Sequence, residues 1–176
     1  MIAGFPGSAR RMNAFVIDAF EFCRLKERRE GEIPVADLPR LADESVDKIG
    51  VVRWVLEGGS DMRGHPQLVL TVSGALNLMC QRCLTPFAFE FDSGATLVLA
   101  KDEDGADAID AQLADESVEV IVGGSSFDVS QVIEDEALLA IPLSPKHDVC
   151  PDPVAREAEQ EVKKESPFAV LKKLKQ

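Results

Sequence analysis

Between residues 51 and 100 apolar and polar positions alternate with a period of two, the spacing of strands with one buried face. Val52, Trp54 and Leu56 point one way, and Arg53 and Glu57 the other, up to the turn residues Gly58, Gly59, Ser60 and Asp61. Leu68, Leu70 and Val72 repeat the pattern, which resumes after Gly74 as Leu76, Leu78 and Cys80. Phe87, Phe89 and Phe91 share a face of the next run, and Thr96–Ala100 and Val118–Val122 predict further short strands. The period changes at both ends. Phe15, Ala19, Phe22 and Leu25 are spaced for a helix within 15–29, ended by Gly31. Val129, Val132, Ile133, Ala137, Ala140 and Ile141 form the apolar stripe of a helix over 129–141, with Glu134, Asp135 and Glu136 on a solvated face. Asp128 caps that helix, with Gln131 three residues on, and Pro142 stops it.

These elements predict an α+β fold. A mainly antiparallel sheet, open or closed into a barrel, is flanked by the N-terminal helix and the 129–141 helix. Glu32–Arg40, with two prolines, reads as a linker with room for one helical turn. Lys101–Glu116 has many acids and few apolar anchors; it reads as an acidic loop with a short helix near Ile109–Leu113. One domain over 13–150 is expected, with a disordered leader over 1–12 and a tail over 151–176. Met12, followed by Asn13 and Ala14, reads as a sensible translation start. The tail is charged over Glu157–Glu165. It ends in a short amphipathic segment from Ser166-Pro167, with Phe168, Leu171 and Leu174 on one side and Lys172, Lys173 and Lys175 near its end.

Charge narrows the function. The chain carries 31 acids against 19 bases, a formal net charge of −12. Phosphate neutralisation needs a basic face, so sequence-blind RNA binding is disfavoured and a basic partner is favoured. No apolar run reaches the roughly 20 residues of a membrane helix, and Met1–Asn13 has no signal-peptide core, so a cytoplasmic protein with no membrane association is expected. The 4 cysteines are then expected to be reduced, and thiol pairs there bind metal or do redox work more often than they form staples.

Cys80 and Cys83 enclose two residues, a spacing that lets both sulfurs reach one tetrahedral ion across a tight turn. His147 and Cys150 form a second such pair and would complete a structural zinc shell of three thiolates and one imidazole. Two alternatives stand beside zinc: a redox pair at Cys80 and Cys83, and thiols serving as small packed hydrophobes. The redox context is poor, because Thr85-Pro86 and the alternating phenylalanines predict a strand after the pair, not a helix. Cys23 reads as a core thiol. Gln81, Arg82 and Thr85 sit at the expected hairpin tip, where an arginine can meet a phosphate or a partner's carboxylate. With Phe168 and Leu171 they form the candidate partner-binding set. Catalytic signatures are missing: there is no Walker loop, no dinucleotide-binding glycine pattern, no Gly-x-Ser-x-Gly, and only 2 histidines.

Three stretches in the same order resemble the YceD family, the large ribosomal RNA subunit accumulation proteins. They are Cys80-Gln81-Arg82-Cys83-Leu84-Thr85-Pro86-Phe87; Val132 to Leu143, with Pro145 and His147 after it; and Ser166-Pro167-Phe168-Ala169-Val170-Leu171-Lys172-Lys173-Leu174. The resemblance runs over about residues 13–175. Ser166 stands where the family has asparagine, and serine caps a helix as well. His147 and Cys150 lie closer together than in some relatives. The resemblance implies a non-catalytic bacterial factor in synthesis, processing or stability of large-subunit (23S) ribosomal RNA. It also implies that RNA or its precursor as a direct or indirect partner, and a basic large-subunit ribosomal protein as a second. The alternatives are a thiol redox protein using Cys80 and Cys83, and a small zinc-stabilised RNA-binding module.

Overall fold

The computed structural model describes residues 15–113 and 118–150. Its centre is a sheet of β2 (Arg28–Pro34), β3 (Val51–Ser60), β4 (Pro66–Met79), β5 (Pro86–Ala100) and β6 (Val118–Val122), hydrogen-bonded in that order. Among the described residues β2 and β6 are free edges, so the sheet is open and does not close into a barrel. The first three pairings are antiparallel and β5–β6 is parallel. The fold is α+β, as the alternating and helical spacings predict.

The inward positions of β3 and β4 are those the alternation marks: Val52, Trp54, Leu56, Leu68, Leu70, Val72, Leu76 and Leu78 are all buried. Gly74 sits opposite Phe91 in the register; a Cβ there would lie 2.9 Å from the Phe91 ring and from the Val51 carbonyl oxygen. Two helices cover this face. The first, α1 (Ala19–Leu25), is capped by Asp18, whose carboxylate accepts the Glu21 N–H at 3.0 Å. It buries Phe22 against β3. At Gly58 a Cβ would come within 2.6 Å of the Phe22 carbonyl oxygen, so only glycine admits this approach.

The expected helix over 15–29 is therefore shorter. Lys26 adopts φ 52°, and the next residues form β2 instead of a helix end and linker. The linker expected over Glu32–Arg40 is the end of β2, a 3-10 turn at Val35–Asp37 and the start of a short helix, α2 (Pro39–Glu44).

A further difference lies at Lys101–Glu116. Its described part holds an eleven-residue helix, α3 (Glu103–Leu113), which includes the short helix expected near Ile109–Leu113 and extends it back over most of the expected acidic loop. The parallel β5–β6 pairing explains it, since parallel strands need a crossover connection. Leu97 and Leu99 are buried on the core face, and Val98 and Ala100 are buried on the other, where α3 packs through Ala106.

The last helix, α4 (Val129–Leu139), follows a two-residue strand, β7 (Phe127–Asp128), paired with β1 (Val16–Ile17). Asp128 caps it by accepting the Ser130 N–H at 2.9 Å. Val129, Ile133 and Ala137 face the core. The acidic run is not wholly solvated. Glu134 and Glu136 are buried, and Asp135 alone is exposed. The Glu134 carboxylate accepts the N–H groups of Arg40 and Leu41 at 2.7 and 3.1 Å, capping α2, while Glu136 accepts the Ser93 hydroxyl. The leader over 1–12 and the tail over 151–176 lie outside the described residues.

Candidate metal centre

The register of β4 with β5 ends at Met79 opposite Pro86, which leaves residues 80–85 as the hairpin tip. The Leu84 N–H donates to the Cys80 carbonyl at 2.9 Å and the Cys80 N–H to the Thr85 carbonyl at 3.1 Å, closing a tight loop. Leu84 takes φ 59° to turn the chain into β5. This winding brings Cys80 and Cys83 to one side. From the end of α4 the chain returns to the tip, where the Gln81 N–H donates to the Pro145 carbonyl at 2.9 Å. That bond brings His147 and Cys150 beside the two cysteines.

The ligand atoms of Cys80, Cys83, His147 and Cys150 all lie within 4.8 Å of one another. The sulfurs of Cys80 and Cys150 are 3.8 Å apart; Nδ1 of His147 lies 3.4 Å from the Cys83 sulfur and 3.9 Å from that of Cys150. A tetrahedral ion with bonds of about 2.3 Å to sulfur sets two thiolates about 3.8 Å apart. All four cysteines of the chain are free thiols. Donor identity and spacing therefore fit a four-coordinate metal of borderline softness.

The surroundings favour anionic sulfur at Cys80 and Cys83. Burial raises the Cys80 thiol, but the N–H groups of Cys83, His147 and Arg82, with the His147 ring, outweigh it and hold the thiol down at about 5. The Thr85 hydroxyl, 3.0 Å from the Cys83 sulfur, is the main cause that lowers Cys83. The hydrogen bond to Cys80, helped by Cys83, raises the His147 imidazole. Burial raises Cys150, against the opposing pull of Arg82.

Arg82 donates from Nε to the Cys150 sulfur at 3.0 Å and from Nη2 to the His147 carbonyl at 3.2 Å. The Phe87 ring lies against the His147 ring, with centroids 4.8 Å apart. Such partners fix the orientation of ligands and the charge they carry.

The structure thus brings together Cys80, Cys83, His147 and Cys150, with Arg82 and Thr85 turned onto the sulfurs. Of the residues expected to meet a partner, Gln81 is exposed beside a groove, while Phe168 and Leu171 lie outside the described residues. Spacing alone did not reveal Phe87 as a partner of His147. The only signal was the Cys-x-x-Cys-x-x-Pro-Phe sequence, which fixes where β5 begins.

A family model described as large ribosomal RNA subunit accumulation protein YceD matches residues 68–175. That stretch is more than half of the chain and contains all four donors. No solved structure matches the chain.

Proposed function

The chain belongs to the YceD family, and from that premise we propose that it promotes accumulation of large-subunit ribosomal RNA as a non-catalytic docking protein braced by one structural zinc. One observation carries the non-catalytic reading: the convergent donor set has four members, so an ion bound by all of them has no position left for water or substrate. A bound zinc would supply a rigid crosslink between the β4–β5 tip and residues 147–150. Cys80, Cys83 and Cys150 would hold it as thiolates, and His147 as a neutral imidazole. Arg82 would offset part of the negative charge of a three-thiolate shell.

With a net charge of −12, contact with ribosomal RNA through a basic large-subunit ribosomal protein is favoured over direct phosphate contact. Depleting the protein should lower mature large-subunit RNA relative to small-subunit RNA. Crosslinked pull-downs should recover a basic ribosomal protein or a precursor particle. Unchanged subunit ratios with normal precursor RNA would remove the reading. Protein purified without chelator should contain about one zinc per chain, and Cys83→Ser should lose it.

A thiol redox role is the second reading, because a thiol held near 5 is what a reactive cysteine needs. Access weighs against it: Cys80 is fully buried, and attack on a disulfide requires an accessible sulfur. Disulfide reductase activity abolished by Cys80→Ser would reverse this order.

A further inference from the structure

Around the C-terminal end of α4 the molecule leaves large apolar side chains in water. Leu139 is 77% exposed, Leu143 103% and Leu84 68%. They border two shallow grooves that meet at Leu138. One groove lies between α4 and strands β5 and β6, over Leu97, Ile121 and Val132. The other lies between the end of α4 and the β4–β5 tip, over Leu78 and Ile141. Every charged side chain lining them is acidic: Glu119, Asp135 and Glu136 in the first and Glu44 in the second. An apolar floor with an acidic rim fits a cationic amphipathic segment.

The chain itself carries one. From Ser166 to Gln176 there are three lysines and no acid, with Phe168, Leu171 and Leu174 at helical spacing. The described chain also ends beside the second groove. Cys150 lies against Cys80 at the tip, and the tip residues Gln81 and Leu84 line that groove. Residues 151–167 intervene, and at up to about 3.3 Å each they reach either groove with slack. Covalent linkage gives the segment a high effective concentration there.

We propose that residues Phe168–Lys175 dock on this acidic-rimmed apolar surface of their own chain, with Phe168 and Leu171 on the floor and the ammonium groups of Lys172, Lys173 and Lys175 reaching out to the acidic rim. The inference does not depend on the metal or on the role in ribosomal RNA accumulation.

The test uses the full chain with photoreactive benzoylphenylalanine in place of Phe168, irradiated, digested and mapped by mass spectrometry. The expected result is intrachain crosslinks to the Leu138–Leu143 region or to Ile121, on protein that migrates as a monomer. Leu139→Asp, at an exposed position, should lower the yield several-fold. So should joint reversal of Lys172, Lys173 and Lys175 to glutamate, which leaves the described domain untouched. Crosslinks mapping elsewhere, or none, overturn the proposal. Crosslinks confined to a dimer band overturn it in favour of a second copy. A yield insensitive to the charge reversal also overturns it.

Discussion

Arg82 illustrates how one side chain at the tip changes meaning once its neighbours are known. On a bare hairpin an arginine is free to meet a phosphate. Here its guanidinium is committed to the Cys150 sulfur and the His147 carbonyl. In the proposed zinc site its contribution would be to the hold on the ion, and Arg82→Ala should then speed zinc transfer to a chromogenic chelator by about 10-fold or more. A transfer rate equal to that of the unaltered chain would return Arg82 to the role of a surface contact. Asp61 makes a second residue-scale case. Burial pulls its carboxyl up, but the His65 ring and the N–H groups of His65 and Arg63 outweigh this and keep it below its ordinary range. Because the folded value lies below the unfolded one, its stabilisation is present above about pH 4 and is lost as pH falls further. The protection of the Arg63 and His65 amides, taken relative to their intrinsic exchange at each pH, should fall on acidification below that pH, and Asp61→Asn should flatten the response.

At the scale of elements, helices α2 and α4 are joined by a buried carboxylate. Glu134 satisfies two N–H groups at the start of α2, which has no side-chain cap of its own. Glu134→Ala would strand both donors, and a loss of about 2–3 kcal/mol in chemical denaturation is expected. Burial of Glu134 could not be read from the chain, because its partner lies 94 residues away. Strands β3 and β4 and the first half of β5 were legible because one buried face imposes alternation on them, whereas Thr96–Ala100, expected as a separate short strand, continues β5 and is buried on both faces at its end. Strand β2 was not. It is an edge with one buried residue, Ile33, among Arg28, Arg29, Glu30 and Glu32, so burial left almost no pattern on it. Helix α3 likewise buries only Ala106. The four donors were visible as two spaced pairs, but their convergence depends on the return of residues 140–150 from α4 to the tip. The grooves left no sequence signal, because Leu139 and Leu143 look like the ordinary end of an apolar stripe.

For the whole molecule, the donor cluster sits at the margin of the hydrophobic core, touching it through Phe87, which packs on the core and against the His147 ring. The core cluster runs through Leu76 and Leu78 of β4 but stops short of Cys80. Chelation should therefore release the tip and the 145–150 segment while the sheet persists. Far-UV circular dichroism should change little, and amide protection should fall mainly at 80–85 and 145–150. Loss of the entire fold on chelation would show that the ion supports the core as well. The sequence separation across the cluster has a temporal consequence. Cys83 and His147 are 64 residues apart, and the chain between them contains β5, α3, β6 and α4. A nascent chain that has emerged only as far as the hairpin offers two of the four donors, too few to close a tetrahedral site. The full set can assemble only once residues 147–150 have been made and have returned from α4 to the tip. Tight metal capture would then mark chains whose folding is complete.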